Sequence, residues 1–237
     1  MTKSESFLPH PSIFLGKERL KLIRGYRVHE QRTPSQALLV VTPSQTIGPF
    51  FSGGLVRPGD NDVACVTPGG ARAQGTPITI HGQVLDENAN PVRKALIEIW
   101  QANKWGKYEH PDDITLAPLD PNFKGWGRTL TDADGRYAFR SIKPGPYPNL
   151  GYDNWMRPPH VHFSLFAAGV MQRLITQMYF PDEELNDIDP ILNGIDDLRA
   201  RASLIARRMP DAADGSSVFS FDIVLRGVEE TPFFAER

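Results

Sequence analysis

The sequence predicts an all-β protein, a sandwich of short strands joined by long loops. Three observations lead there. The 237 residues include 21 prolines and 20 glycines, which cut the chain into short segments. Apolar and polar residues alternate in runs such as Pro77-Ile78-Thr79-Ile80-His81-Gly82-Gln83-Val84-Leu85. Turn chemistry separates these runs, as in Asp86-Glu87-Asn88-Ala89-Asn90-Pro91.

Residues 1–40 show little periodicity and only short apolar clusters, so they read as an extended arm that packs on the core or on a partner chain. Thr42 to Phe51 is a loop with two X-Pro units, and residues 57–76, rich in Gly, Asp and Pro, read as a surface loop. The expected division is therefore an N-terminal arm with loops over 1–76 and a β-sandwich domain over 77–237. After the first strand at 77–85, strands are expected at Ala95–Gln101, Arg128–Thr131, Gly135–Arg140, His160–Ala167, Leu174–Phe180 and Val218–Arg226. The Asp132-Ala133-Asp134-Gly135 turn between the third and fourth predicts a hairpin. One helix is expected near the C-terminus, at about residues 195–209, with Leu198, Ala202, Ile205 and Met209 forming a core-packing stripe.

Composition is that of a soluble globular protein with room for a sizeable core: 40% hydrophobic, 23% charged, and a formal charge of −2 from 26 basic and 28 acidic residues. This balance does not point to nucleic acid or an anionic membrane. No apolar run approaches a membrane span, and the N-terminus lacks the apolar core of a signal peptide, so a cytoplasmic location is expected. Cys65 is the single cysteine, which excludes an internal disulfide and a cysteine-based zinc site.

The chemistry concentrates in Arg157-Pro158-Pro159-His160-Val161-His162. Two histidines two apart on a strand project from the same face, so both imidazoles can reach one metal ion. Tyr108 and Tyr147 lie in loop-like surroundings upstream and could add two phenolate oxygens. That donor set suits a hard, oxidised metal such as Fe(III) better than Zn(II). Taken alone, an H-x-H pair on a strand is more often structural or a generic metal pair than the mark of one enzyme. Arg157 reads also as a salt-bridge residue, Trp100 as core, and Gln177 as a sheet-edge residue. His10, His29, His81 and His110 read as ordinary surface or loop residues. There is no phosphate loop, no paired-carboxylate signature and no Ser/His/Asp arrangement.

The module Gly82-Gln83-Val84, Pro91-Val92, Thr131-Asp132, Gly135-Arg136-Tyr137 and Pro144-Gly145 resembles prealbumin-like sandwiches. Most of these bind no metal, and on that likeness alone the chain would be a binding or structural module. The wider set is more specific. It joins Trp100-Gln101-Ala102-Asn103, Tyr108-Glu109-His110, Leu119-Asp120-Pro121-Asn122-Phe123, Lys143-Pro144-Gly145-Pro146-Tyr147-Pro148, the two histidines, and Gln177-Met178-Tyr179-Phe180. Over about residues 15–235 this resembles the intradiol ring-cleaving dioxygenases, in particular the iron-bearing β chain of their two-chain members.

The resemblance implies a non-haem Fe(III) held by Tyr108, Tyr147, His160 and His162. It implies that O2 cleaves the ring of protocatechuate (3,4-dihydroxybenzoate) to 3-carboxy-cis,cis-muconate; hydroxyquinol or a sulfonated catechol are the alternative substrates. Arg157 would face the substrate ring, and Tyr147 would take a substrate proton. Tyr26, Trp100, Gln177, Tyr179 and Ile191 match positions around the substrate. Asn149 departs from the tryptophan usual in the β chain. The segments Thr42–Phe50 and Glu230–Phe234 resemble the non-catalytic α chain instead. An oligomer is therefore expected, formed with an α-like partner chain or from copies of this chain.

Overall fold

The computed structural model describes residues 56–149 and 155–234, all within the compact unit Gly48–Arg237. The expected N-terminal arm and Tyr26 lie outside the described residues. Eleven strands are present among those described: β1 (Pro77–Leu85), β2 (Leu96–Trp100), β3 (Trp126–Leu130), β4 (Arg136–Ile142), β5 (Tyr147–Pro148), β6 (Met156–Arg157), β7 (His160–Phe166), β8 (Leu174–Tyr179), β9 (Arg207–Met209), β10 (Ser217–Ser220) and β11 (Ile223–Val224). The fold is all-β, and among the described residues the helices are few and short.

The strands form two main sheets. In the first, β1 is flanked on one side by antiparallel β4 and on the other by parallel β10 and then parallel β11, with β9 beyond β10. In the second, the order is β3-β2-β7-β8, all antiparallel. Side-chain alternation gives each sheet one inward face. Ile78, Ile80, Val84 and Phe139 from the first sheet meet Ile97, Ile99, Val161, Phe163 and Leu165 from the second in one buried cluster. The Phe163 ring lies 6.0 Å from Tyr137 and 6.4 Å from Phe139, both edge-on, so the sheets are joined through aromatic contacts worth about 0.5–1.5 kcal/mol each beyond burial. The Tyr137 hydroxyl donates to Phe221 O at 2.5 Å. Gly82 lies where β1 exchanges β10 for β11. A Cβ there would fall 1.7 Å from Phe221 O, so only glycine lets the strands approach so closely.

Four expectations are corrected. The turn at 132–135 does not close a hairpin: β3 pairs with β2 and β4 with β1, so the turn crosses from one sheet to the other. Asp132 Oδ1 accepts from Asp134 N and Arg136 N, which satisfies the turn locally and leaves each strand free to pair elsewhere. Residues 57–76 are not merely a surface loop. Val63 and Ala64 are fully buried, and backbone bonds from Arg128 N to Asp60 O and from Arg140 N to Asn61 O fasten the segment to the edges of both sheets. It fills the open side of the sandwich and protects two strand edges.

The helix expected at 195–209 ends at Ser203. It is α2 (Leu198–Ser203); a 3-10 turn at Glu184–Asp187 and α1 (Pro190–Asn193) precede it outside the expected span, so the described residues hold three short helical segments instead of one longer helix. Residues 207–209 pair with β10 as β9, because a sheet edge offers hydrogen bonds that outweigh weak helix periodicity. Fourth, the stripe is not core: Leu198 is 71% exposed, whereas Leu204, outside the stripe, is fully buried. Among the described residues no helix is long and apolar enough to cross a membrane.

Candidate active site

The site forms on the outer face of the second sheet, at the end where β7 begins. Val161, Phe163 and Leu165 point into the core, so His160 and His162 must share the opposite face. Their Nε2 atoms stand 3.2 Å apart. His160 Nδ1 lies 2.7 Å from Pro158 O, a pure acceptor; Nδ1 therefore carries the proton and Nε2 presents a bare lone pair.

Tyr147 is placed by the two-stranded ladder β5–β6, which pairs it directly with Arg157. Its Oη lies 3.1 Å from His160 Nε2. Tyr108 comes from the long loop after β2, and its hydroxyl lies 3.5 Å from that of Tyr147. That loop is clamped from below. Asp113 accepts from Tyr108 N (2.8 Å), Thr115 N (2.9 Å), Thr115 Oγ1 (2.6 Å) and Lys107 Nζ (3.1 Å). Gly106, at φ 75°, lets the loop lie on the next one: a Cβ would fall 2.2 Å from Pro146 O, beside Tyr147.

The four atoms Tyr108 Oη, Tyr147 Oη, His160 Nε2 and His162 Nε2 thus converge. Donors about 2 Å from one first-row metal, at angles of about 90–120°, stand about 2.8–3.5 Å apart; the observed 3.1, 3.2 and 3.5 Å separations fit one cation. Charge agrees. Burial, then His162 and Arg157, hold His160 well below the usual imidazole range, and burial with Arg157 brings His162 to about 4. Both rings are therefore neutral and able to ligate. Burial raises both phenols, reinforced at Tyr108 by Tyr147 and opposed at Tyr147 by Arg157. Such phenols ionise only when a cation compensates them, as bound metal does for acidic ligands.

Arg157 is 5% exposed. Its Nη2 donates to Gln177 Oε1 at 2.8 Å and to the Tyr179 hydroxyl at 3.0 Å, and the Tyr179 hydroxyl donates to Gln177 Oε1 at 2.8 Å. Gln177 is thus no idle sheet-edge residue. The salt-bridge reading of Arg157 also holds, since Asp189 Oδ2 lies 3.2 Å from Nη2. Asp189 was not among the residues expected at the site; its only signal in the sequence is that of a helix N-cap, Asp before Pro. Trp100 is 43% exposed and not core. Its ring stands edge-on to Tyr108 at 4.8 Å. His110, expected to be an ordinary loop residue, joins Trp100, Tyr108, Tyr147 and Asn149 in lining a cavity of about 230 Å³. Ile191 is half-buried in α1 and is tied to the cluster through Asp189 Oδ1, which accepts from its backbone N–H at 3.0 Å.

The family described as Dioxygenase matches residues 47–227. A protocatechuate 3,4-dioxygenase beta chain from Burkholderia cepacia is 42% identical over 87% of this chain and 89% of its own. The chain belongs to the intradiol dioxygenases. The alpha chain of protocatechuate 3,4-dioxygenase from Pseudomonas putida is 36% identical over 83% of this chain and 97% of its own. Among solved structures, the dioxygenase domain of a dioxygenase–carbohydrate-binding protein fusion from Streptomyces sp. SirexAA-E superimposes with a TM-score of 0.52 at 28% identity, over 79% of this chain and 99% of that one. This intradiol dioxygenase is therefore an oxidoreductase of aromatic catabolism, in a family that uses non-haem iron. Its relatives include both chains of a two-chain enzyme, consistent with an oligomer.

Proposed function

We propose that this enzyme cleaves protocatechuate between its two hydroxylated carbons to give 3-carboxy-cis,cis-muconate, using Fe(III) held by Tyr108, Tyr147, His160 and His162. The observation that carries the reading is the convergence of two imidazole nitrogens and two phenol oxygens beside a buried arginine. Iron, when bound, supplies chelation of both catechol oxygens and a centre through which O2 reaches the ring. The residues do the rest. Two phenolates and two neutral imidazoles leave one net positive charge on a trivalent ion, which favours an anionic catecholate. Tyr147 Oη, beside His160 Nε2 and Tyr108 Oη, accepts a substrate proton. Arg157 faces the ring and stabilises the negative charge that develops as the ring is attacked, a preorganised electrostatic role. Trp100 walls the entrance, and Gln177 and Tyr179 hold the guanidinium. Ile191 backs the pocket, and Tyr26, which lies outside the described residues, is assigned to recognition of the ring carboxylate.

The enzyme acts in the cytoplasm as an oligomer. The partner is a chain of the same fold, either a second copy or an α-like chain. Exposed Trp126, Leu130 and Phe166 on the outer face of the second sheet support an interface there. Native mass of the purified chain separates the two arrangements.

The test is oxygen uptake by the iron-loaded chain with protocatechuate, hydroxyquinol, 4-sulfocatechol and catechol. The value of kcat/KM is expected to be highest for protocatechuate, with a product that absorbs as 3-carboxymuconate. Preference for another catechol overturns the substrate, and no uptake with any of them overturns the proposed activity.

A further inference from the structure

The excursion between β8 and β9 carries all the helical segments found among the described residues. It leaves and returns at one residue. Tyr179 N donates to Leu204 O at 2.8 Å, and Ala206 N donates to Tyr179 O at 2.9 Å. The excursion is therefore pinned at both ends to the residue whose hydroxyl accepts from Arg157. Leu192 and Leu204 root it in the core, and Asn193 and Arg201 tie its parts together through the bond at 3.0 Å between their side chains.

Asp189 sits at its centre and is fully buried. Its two oxygens have separate tasks. Oδ1 accepts from Ile191 N at 3.0 Å and caps α1. Oδ2 meets Arg157 Nε at 3.3 Å and Nη2 at 3.2 Å. Asp189 is the only carboxylate that any described residue brings within 4 Å of this guanidinium. A charge inside a protein is held in position only when its partners satisfy it. Gln177 and Tyr179 are neutral, so they can orient the guanidinium but cannot balance its charge.

We propose that Asp189 is a positioning residue for the ring-cleavage reaction. It locks Arg157 against Tyr147, and the helical excursion exists to deliver that carboxylate from outside the sheet. Asp189 itself touches neither substrate nor metal ligand; it acts through Arg157. The inference rests on the proposed role of Arg157 at the substrate ring.

Asp189→Asn is nearly isosteric and keeps an oxygen for Ile191 N, so α1 stays capped while the charge at Arg157 is lost. In the iron-loaded enzyme it is expected to lower kcat about tenfold to a hundredfold, with KM changed less than about threefold, as for a group displaced slightly from its reactive geometry. The iron absorption band of the resting enzyme is expected to be unchanged, because no donor atom has moved. In an Arg157→Met background the same substitution is expected to add no further loss of kcat. Asp197→Ala is the control. It removes the cap of α2, whose Oδ1 accepts from Arg199 N, without touching Arg157; it is expected to lower stability and leave kcat alone. Asp189→Glu keeps the charge but shifts it by one methylene, and is expected to lose less kcat than Asn.

Three results would overturn the proposal. One is an Asp189→Asn enzyme with wild-type kcat. Another is equal loss of kcat in the presence and absence of Arg157, which would make Asp189 merely structural. The third is an Arg157→Met enzyme with wild-type kcat, which removes the role of Arg157 and the proposal with it. If Asn prevents folding, the Glu variant decides: wild-type kcat there contradicts the lock.

Discussion

Strand β7 carries two regions that share a backbone and little else. Its inner face, Val161, Phe163 and Leu165, is at most 1% exposed and packs against the opposite sheet. Its outer face, His160 and His162, holds imidazoles that burial keeps neutral and that no apolar residue could replace. The neighbouring β8 repeats the division: Thr176 and Met178 face inward, while Gln177 and Tyr179 face the site. The period of two thus separates stability from chemistry residue by residue. A one-residue slip would place histidines in the core and valine at the proposed metal site, so the packing of the inner face sets the register of the outer one.

The separation can be broken first at the ligands. His162→Ala is expected to lower iron content and reduce turnover by more than about a thousandfold, since one of the four proposed donors is gone. Metal analysis and oxygen uptake check it. An iron-loaded, active His162→Ala enzyme would remove that histidine from the site. Phe163→Ala, one residue away on the other face, is expected to cost about 3–5 kcal/mol of unfolding free energy in urea. Below the unfolding transition it should keep its iron band. Loss of iron without loss of stability would show that the two faces are not separable. Arg157→Met is expected to reduce kcat about a hundredfold to a thousandfold while iron stays bound, the usual cost of removing one charge-stabilising group.

The smallest effect concerns Asp60, in the segment that closes the sandwich. Backbone bonding to Arg57 N holds its carboxyl below the usual range against some burial, helped by Lys124 and Arg128. A depressed folded value means that the carboxylate stabilises the fold above the unfolded value of 3.8, and that this contribution is lost as pH falls through the folded value. Asp60→Asn is expected to remove about 1 kcal/mol at neutral pH and to flatten the acid limb of stability below pH 3.8. Turnover should be unchanged. An altered kcat would tie the closing segment to the chemistry.

Much of the fold and part of the site are legible in the sequence, for different reasons. Alternation locates β1, β2, β7 and β8 because each has one dry face and one wet or functional face. The same rule puts His160 and His162 on one face from their spacing alone. The strand partners of β3 and β4 are not legible, because a satisfied turn at Asp132 looks the same whether it closes a hairpin or crosses between sheets. The stripe at 198–209 misleads because periodicity carries no information about where the chain must return to pair. At the site, Tyr108 and Tyr147 stand out through their motifs, but their meeting depends on loop contacts such as Asp113 with Tyr108 N. Those bonds join residues whose sequence context says nothing of a metal. Asp189 is illegible for the same reason: an N-cap aspartate is common, and its second oxygen matters only because the fold places Arg157, 32 residues upstream, within reach.

The most direct test of the central claim is the visible spectrum of the iron-loaded protein, recorded without oxygen before and after adding protocatechuate. A tyrosinate-to-Fe(III) charge-transfer band is expected, one that shifts when the catechol chelates and weakens when Tyr108 or Tyr147 is replaced by Phe. A protein that takes up iron yet stays colourless, or a band indifferent to both tyrosines, would contradict the assignment of two phenolates and two imidazoles to one metal.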